Sequence, residues 1–261
     1  MDLKKLPVWN EMLPITLEEM DSIRLMNRVD TKFLIREDLL PELLEKIKHD
    51  YRAQKVEGEQ VCRYNTLYYD TIDAEMYQNH HNNKLNRQKV RARTYVESGI
   101  SFLEVKRKSN KGRTTKDRIR IPNEVVDDIS QNAEAMEFLS INSTIPGTEI
   151  IPQLSNSFDR ITLVNNGKSE RLTIDAHIHF LNLQTGIEED AVNLVVVELK
   201  QDGQCASLFK SLLTDYKVLP KSFSKYALGS AMTNPNLKRN QFKNKLRFIN
   251  KLTEIDDDTM Y

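Results

Sequence analysis

The chain reads as an α+β domain built on an antiparallel sheet. Short, strand-like stretches follow one another over 88–121 and again over 158–200, where a doubly wound parallel sheet would need strict β–α alternation. Neither GxxxxGK[ST] nor GxGxxG occurs, so no glycine loop opens a phosphate-binding or dinucleotide unit. At 261 residues the chain is long enough to bury one sizeable core.

Taken in order, "TLEEMDSIRLM" (16–26) predicts a helix, with Thr16 as N-cap and Glu19 closing a capping box. "NRVDTKFLI" (27–35) predicts a strand. "REDLLPELLEKIKHDY" (36–51) predicts a helix with Leu39, Leu40, Leu43, Leu44 and Ile47 on one stripe and Pro41 tolerated in the first turn. A strand is expected over 62–70, a helical or turn segment over 73–83, and strands over 88–96, 101–108 and 113–121. Residues 123–140 read as helix with one break, 158–166, 171–182 and 193–200 as strands, and 205–216 as helix, with another helix starting near 221. A basic run, 237–252, precedes an acidic "TEIDDD".

Lys+Arg and Asp+Glu are equal at 38 each, so bulk charge argues for neither nucleic acid nor a membrane surface. Cys62 and Cys205 fit no metal knuckle and suit a reducing compartment. With no apolar leader region and no run of ~20 apolar residues, the expectation is a soluble, cytoplasmic protein with no membrane span.

Any anion-binding function must then come from local patterning. Side chains alternate across a strand, so Lys89, Arg91, Arg93 and Tyr95 share one face, as do Phe102, Glu104, Lys106 and Lys108. Thr114, Lys116, Arg118 and Arg120 share another, and so do Arg171, Thr173, Asp175, His177 and His179; Glu198 and Lys200 lie with Val196. A solvated strand face explains any one of these. Their repetition on neighbouring strands is harder to explain, because facing cations repel unless something anionic lies between them. A sheet curled around a basic lumen admits a polyanion, and the interleaved Glu104, Asp175 and Glu198 offer hard oxygen ligands for a divalent cation.

Eight motifs then occur in order over about 28–230: "RVDTKF", "YNTLYYD", "VRART", "FLEVKRK", "KDR", "RLTID", "VVVELK" and "KSFSKY". With them the sequence resembles the VTC (vacuolar transporter chaperone) catalytic domain, the polyphosphate polymerase branch of the CYTH-like triphosphate tunnel metalloenzymes. The resemblance implies an eight-stranded antiparallel β-barrel tunnel with flanking helices, formed by 1–232; the residues 233–261 are expected as a separate basic, helical tail. It implies phosphate-binding roles for Lys32, Arg91, Arg93, Lys106, Lys116, Arg171, Lys221 and Lys225, with Arg118 and Arg160 as additional basic residues. Among these, Arg91, Arg93, Lys106 and Arg171 are the implied catalytic group, and Glu198 is the metal ligand, for Mn²⁺ or Mg²⁺. The implied activity is transfer of the terminal phosphoryl group of ATP onto inorganic polyphosphate, with ATP and polyphosphate as partners. The alternatives are a triphosphate or nucleoside-triphosphate hydrolase and a non-catalytic polyphosphate-binding module. One departure counts against hydrolysis: "RVDTK" keeps Lys32 but puts Arg28 where the hydrolytic relatives carry an acid.

Other conspicuous residues read as structural. His80 and His81 are expected at the surface, Trp9 packed against the sheet, and the basic tail as a solvated face.

Overall fold

A computed structural model of the chain describes residues 1–21, 28–203 and 205–254. Its strands are β1 (Pro14–Ile15), β2 (Arg28–Arg36), β3 (Tyr51–Gln54), β4 (Val61–Asp70), β5 (Arg87–Tyr95), β6 (Ile100–Lys108), β7 (Thr114–Ile121), β8 (Ile151–Asn165), β9 (Glu170–Asn182), β10 (Glu188–Ala191) and β11 (Leu194–Asp202). Its α-helices are α1 (Leu17–Asp21), α2 (Leu40–Ile47), α3 (Glu75–His81), α4 (Ala133–Asn142), α5 (Leu208–Asp215), α6 (Lys225–Thr233) and α7 (Lys243–Thr253).

Eight strands form one antiparallel ladder in the order β2-β11-β9-β8-β4-β5-β6-β7, with β1, β3 and β10 paired at its margins. Among the described residues β2 and β7 share no ladder, so hydrogen bonds do not close the sheet. The free edge of β2 is occupied by a loop: Phe33 bridges Pro220, and Lys221 N–H donates to Lys32 O at 2.8 Å. The sheet nonetheless curls. Lys89 of β5 and Lys106 of β6 lie near enough to Lys32 of β2 to feel its charge.

Two apolar bodies hold that curl. Phe33, Ile35, Leu172, Ile174, Val195 and Val197 turn outward beneath α2 and α5 and form one core. Val90, Ala92, Leu103 and Val105 turn outward beneath Ala135 and Leu139 of α4 and belong to the other. That second core continues to one end of the curl, where Tyr226 of α6 and Ile249 of α7 join Leu34, Phe180 and Val196. Gly229 permits the close approach of α6, because a Cβ there would sit 2.4 Å from a ring carbon of Phe180. Of the basic run, 243–253 forms α7, whose Leu246, Phe248, Ile249 and Leu252 pack on this core. No helix among the described residues is long and apolar enough to cross a membrane.

The expected capping box is present: Glu19 N–H donates to Thr16 Oγ1 at 3.2 Å and Thr16 N–H to Glu19 Oε2 at 3.0 Å. The rest of that predicted helix, 22–26, and the first residue of the strand expected after it lie outside the described residues. Helix 36–51 is shorter than its periodicity suggests. A 3₁₀ turn occupies Glu37–Leu39, and Tyr51 begins β3, where buried Tyr51 and Ala53 pair with β8 instead of extending the stripe. Over 123–131 two 3₁₀ turns replace the first half of the expected helix, and α4 starts only after Asn132 caps it. β8 begins at Ile151, ahead of the expected 158, because its early polar residues are buried in pairing with β4 and β9.

One face assignment is overturned. His177 has φ +50°, and at this point the β8–β9 register shifts between Ser157 and Asp159. The bulge reverses the alternation. Beyond it Ile178 and Phe180 take the inner side with α6, while His177 turns away from Asp175 to Asp159 and Glu37. His81 also departs from expectation: it is buried, stacked on Tyr77 and edge-on to Phe242. Trp9 packs on the core under α2, its indole N–H donating to Leu3 O at 2.7 Å.

Candidate functional site

The alternation that sends the aliphatic residues outward sends charged ones to the concave face, where three carboxylates are each held between two cations. Glu104 is 1% exposed and sits opposite Arg91 in the β5–β6 ladder and opposite Arg118 in the β6–β7 ladder. Arg91 Nε donates to Glu104 Oε2 at 2.6 Å, and the Lys116 ammonium meets Oε1. Burial opposes the charged carboxylate, yet Arg91, Arg93 and Lys116 hold its pKa down at about 2.

Asp175, on β9, receives a two-pronged guanidinium from Arg160, its register partner on β8, at 2.6 and 2.7 Å. Lys225, the first residue of α6, closes on the same carboxylate. These cations outweigh burial and keep Asp175 well below the usual carboxylate range. Glu198 bridges two lysines: Lys32 on β2 at 2.5 Å and Lys200, two residues along β11, at 3.1 Å. It too is held well below the usual carboxylate range, because Lys200 and Lys32 outweigh its burial.

Around these pairs lie Lys89, Lys106 and Arg93, and burial acts on them as it does on the paired Lys225. Lys89 donates to Ser224 Oγ at 2.8 Å, and burial together with Lys106 and Arg91 pushes its pKa down to about 7. Lys106 faces Lys89 and Lys116 across its two ladders. Its pKa is lowered, chiefly by burial. Arg93 is 6% exposed and donates to Thr66 Oγ1 at 3.2 Å; burial lowers its pKa. Lys225 falls to about 8 through burial. Burial first, and neighbouring cations on the concave surface second, hold these ammonium groups below their ordinary value, and a nearby anion would act against both.

The structure therefore gathers Lys32, Arg91, Arg93, Lys106, Lys116, Lys225 and Glu198 onto one concave surface. Arg118 lies at its margin, with the guanidinium 4.6 Å over the Phe102 ring. Arg171 shares the inner face of β9 with Asp175 and reaches Met20 O of α1, at the end away from α6. Lys221 is not brought in: it is exposed, its ammonium 4.5 Å over Phe248 of α7. Sequence reasoning passed over Lys89 and Lys200, although both lie on faces already singled out. It also passed over Asp30, one alternation before Lys32 and in register with Lys200, whose charge it stabilises.

A divalent cation has hard oxygen donors here. Thr173 stands across from Glu198 in the β9–β11 ladder, and its buried hydroxyl oxygen has no hydrogen-bond partner among the described residues. No cluster of three His, Cys, Asp or Glu side chains suited to a metal exists among the described residues. Glu198 and Thr173 thus fit a cation whose remaining ligands come from a bound phosphate.

A model of the VTC domain matches residues 27–234. Among solved structures, a candidate adenylate cyclase from Bacillus halodurans superposes with a TM-score of 0.51 at 16% identity, covering 76% of this chain and 96% of that one. A candidate adenylyl cyclase from Hippeastrum, described as having a dominant triphosphatase activity, gives a TM-score of 0.46 at 13% identity, over 80% of this chain and 99% of that one. No curated protein matches the sequence. The matched span takes in every strand of the curled ladder, and the chain belongs to the VTC domain family.

Proposed function

We propose that the protein is a metal-dependent polyphosphate polymerase, transferring the terminal phosphoryl group of ATP onto a growing polyphosphate chain within the curled sheet. The observation that supports this reading is the concave surface itself, where, among the described residues, cations outnumber carboxylates and Glu104, Asp175 and Glu198 are each shared between two cations. Such a surface is suited to a linear polyanion. Phosphoryl transfer asks for positioning and charge neutralisation more than for covalent chemistry from the protein.

In this mechanism Arg91 and Arg93, one alternation apart, clamp successive phosphates with Lys106 and Lys116. Arg171 holds the phosphate chain towards the far end. Lys32 and Lys200 swing from Glu198 to phosphate oxygens, which frees Glu198, with Thr173 beside it, for Mn²⁺ or Mg²⁺. When bound, that cation would neutralise charge on the phosphate oxygens. The attacking group is an ionised phosphate oxygen of the chain, so no general base is needed.

Incubation with ATP and Mn²⁺, followed by separation of products by length, tests the reading. Ladders of phosphate chains support it. Orthophosphate alone points to a hydrolase, and unchanged ATP to a binding module.

A further inference from the structure

The concave surface is not uniform along its length. Towards α7, β5 and β6 carry Lys89, Lys106 and Lys108; at their other ends they carry rings. Tyr95, the last residue of β5, lies on the same face as Arg91 and Arg93. Phe102 lies opposite Arg93 in the β5–β6 ladder and edge-on to Tyr95, with centroids 5.9 Å apart and planes at 87°. Behind Tyr95 stands Tyr64 at 4.9 Å, itself stacked on Phe158 at 5.4 Å.

The two inner rings are a wall. Phe158 is completely buried, and burial pushes the Tyr64 hydroxyl up to about 12. The two outer rings, Tyr95 and Phe102, are only half-buried, and the exposed Arg118 guanidinium already lies over one of them. Phosphate has no use for an aromatic face. A nucleobase does, and guanidinium planes beside aromatic rings are the usual surface on which bases stack.

We infer that Tyr95, Phe102 and Arg118 form a stacking site for the base of a nucleoside triphosphate, which enters the curl with its base outermost and its phosphates directed inward. The inference rests on the reading that the concave surface holds the triphosphate of ATP. The spacing suits it: along β5 Tyr95 lies two residues, about 7 Å, from Arg93 and four, about 13 Å, from Arg91, so the sugar sits between the ring and the first arginine of the phosphate clamp. Stacking reads the face of a base rather than its edge, so the site selects for the presence of a base and not for its identity.

The experiment compares binding of ATP, GTP and tripolyphosphate to the wild type and to the Tyr95→Leu/Phe102→Leu variant by calorimetry. The expected result is a loss of about tenfold or more in affinity for both nucleotides, with tripolyphosphate held within about twofold. Nucleotide and tripolyphosphate affinities that change together, or nucleotide affinity that does not change, overturn the site. A second measurement needs no variant: the fluorescence of 2-aminopurine riboside triphosphate should be quenched on binding to the wild type. Unquenched fluorescence of bound probe also overturns the site, while the tunnel reading survives if tripolyphosphate binds. Failure of the wild type to bind either ATP or tripolyphosphate overturns both together.

Discussion

Replacing Glu104 by Gln keeps the shape of the side chain and strands two cations. The carboxylate is 1% exposed, Arg91 22% and Lys116 41%. Breaking a buried pair by removing one partner costs roughly 3–5 kcal/mol, and the exposure of Lys116 puts the expected cost near the lower bound, about 3 kcal/mol. For a chain of this size each kcal/mol moves Tm by about 2–4 °C, so the ligand-free variant should melt about 6–12 °C below the wild type. Tripolyphosphate supplies the missing counter-charge. At a hundred times its Kd it stabilises the wild type by about 2.7 kcal/mol, and it should stabilise the variant more, narrowing the gap. The pH dependence has a definite sign. The folded pKa of about 2 lies below the ordinary glutamate value of about 4.3, so the contribution is full above about pH 4.3 and is lost as pH falls towards 2. Melting curves with and without tripolyphosphate, and with NaCl at matched ionic strength, check this. An unchanged melting temperature for the variant, or a gap that tripolyphosphate leaves as wide as before, would refute the idea that Glu104 stands in for phosphate.

Four further outcomes are expected. Arg91→Ala/Arg93→Ala should lose tripolyphosphate binding by calorimetry, since each charge-assisted contact contributes roughly 1.5–3 kcal/mol; retained affinity removes both residues from the site. Glu198→Gln should flatten the Mn²⁺ dependence of tripolyphosphate binding without weakening metal-free binding, and an unaltered metal response takes Glu198 out of the metal site. Lys89 has a pKa of about 7 that a bound polyanion raises, so tripolyphosphate affinity should fall as pH rises through and above about 7. Lys89→Met should lessen that slope, and an identical slope in the variant excludes Lys89. Burial disfavours the charged His177 ring, but hydrogen bonds to Asp159 and Glu37 outweigh it and raise the pKa. Its stabilisation is therefore full below the unfolded value of about 6.5 and lost as pH rises through the folded one. The Tm difference between wild type and His177→Gln should shrink over that window, and a constant difference rejects the ion-pair account.

Much of the fold and part of the site were legible because β alternation is a local property. A period of two in "QKVRARTY" is enough to place Arg91 and Arg93 on one face, and the same period places Asp30 beside Lys32, where the search for an acid at position 28 drew attention away from it. His177 was not legible. Its left-handed backbone lets one strand carry an extra residue, and nothing in "DAHIHF" announces a bulge, since the residue there is not glycine. The ion-pair partners were equally hidden. Arg160 with Asp175, and Lys32 with Glu198, meet only because the register places residues far apart in sequence opposite one another.

The same pairs explain how a chain of zero net charge conceals a basic lumen and still folds around it. A concave face carrying only cations would repel itself at strand separations of about 5 Å. Here each carboxylate is shared by cations from different structural elements: Glu104 joins β5 and β7, Asp175 joins β8 and α6, and Glu198 draws β2 onto β11. These acids are counter-ions for folding, and on the proposed function phosphate oxygens would take over part of that role beside the same cations. With the exception of the Glu198–Lys200 pair, which lies within β11, these links cross element boundaries, so the three carboxylates offset the self-repulsion of a basic concave surface that the bulk charge balance cannot reveal.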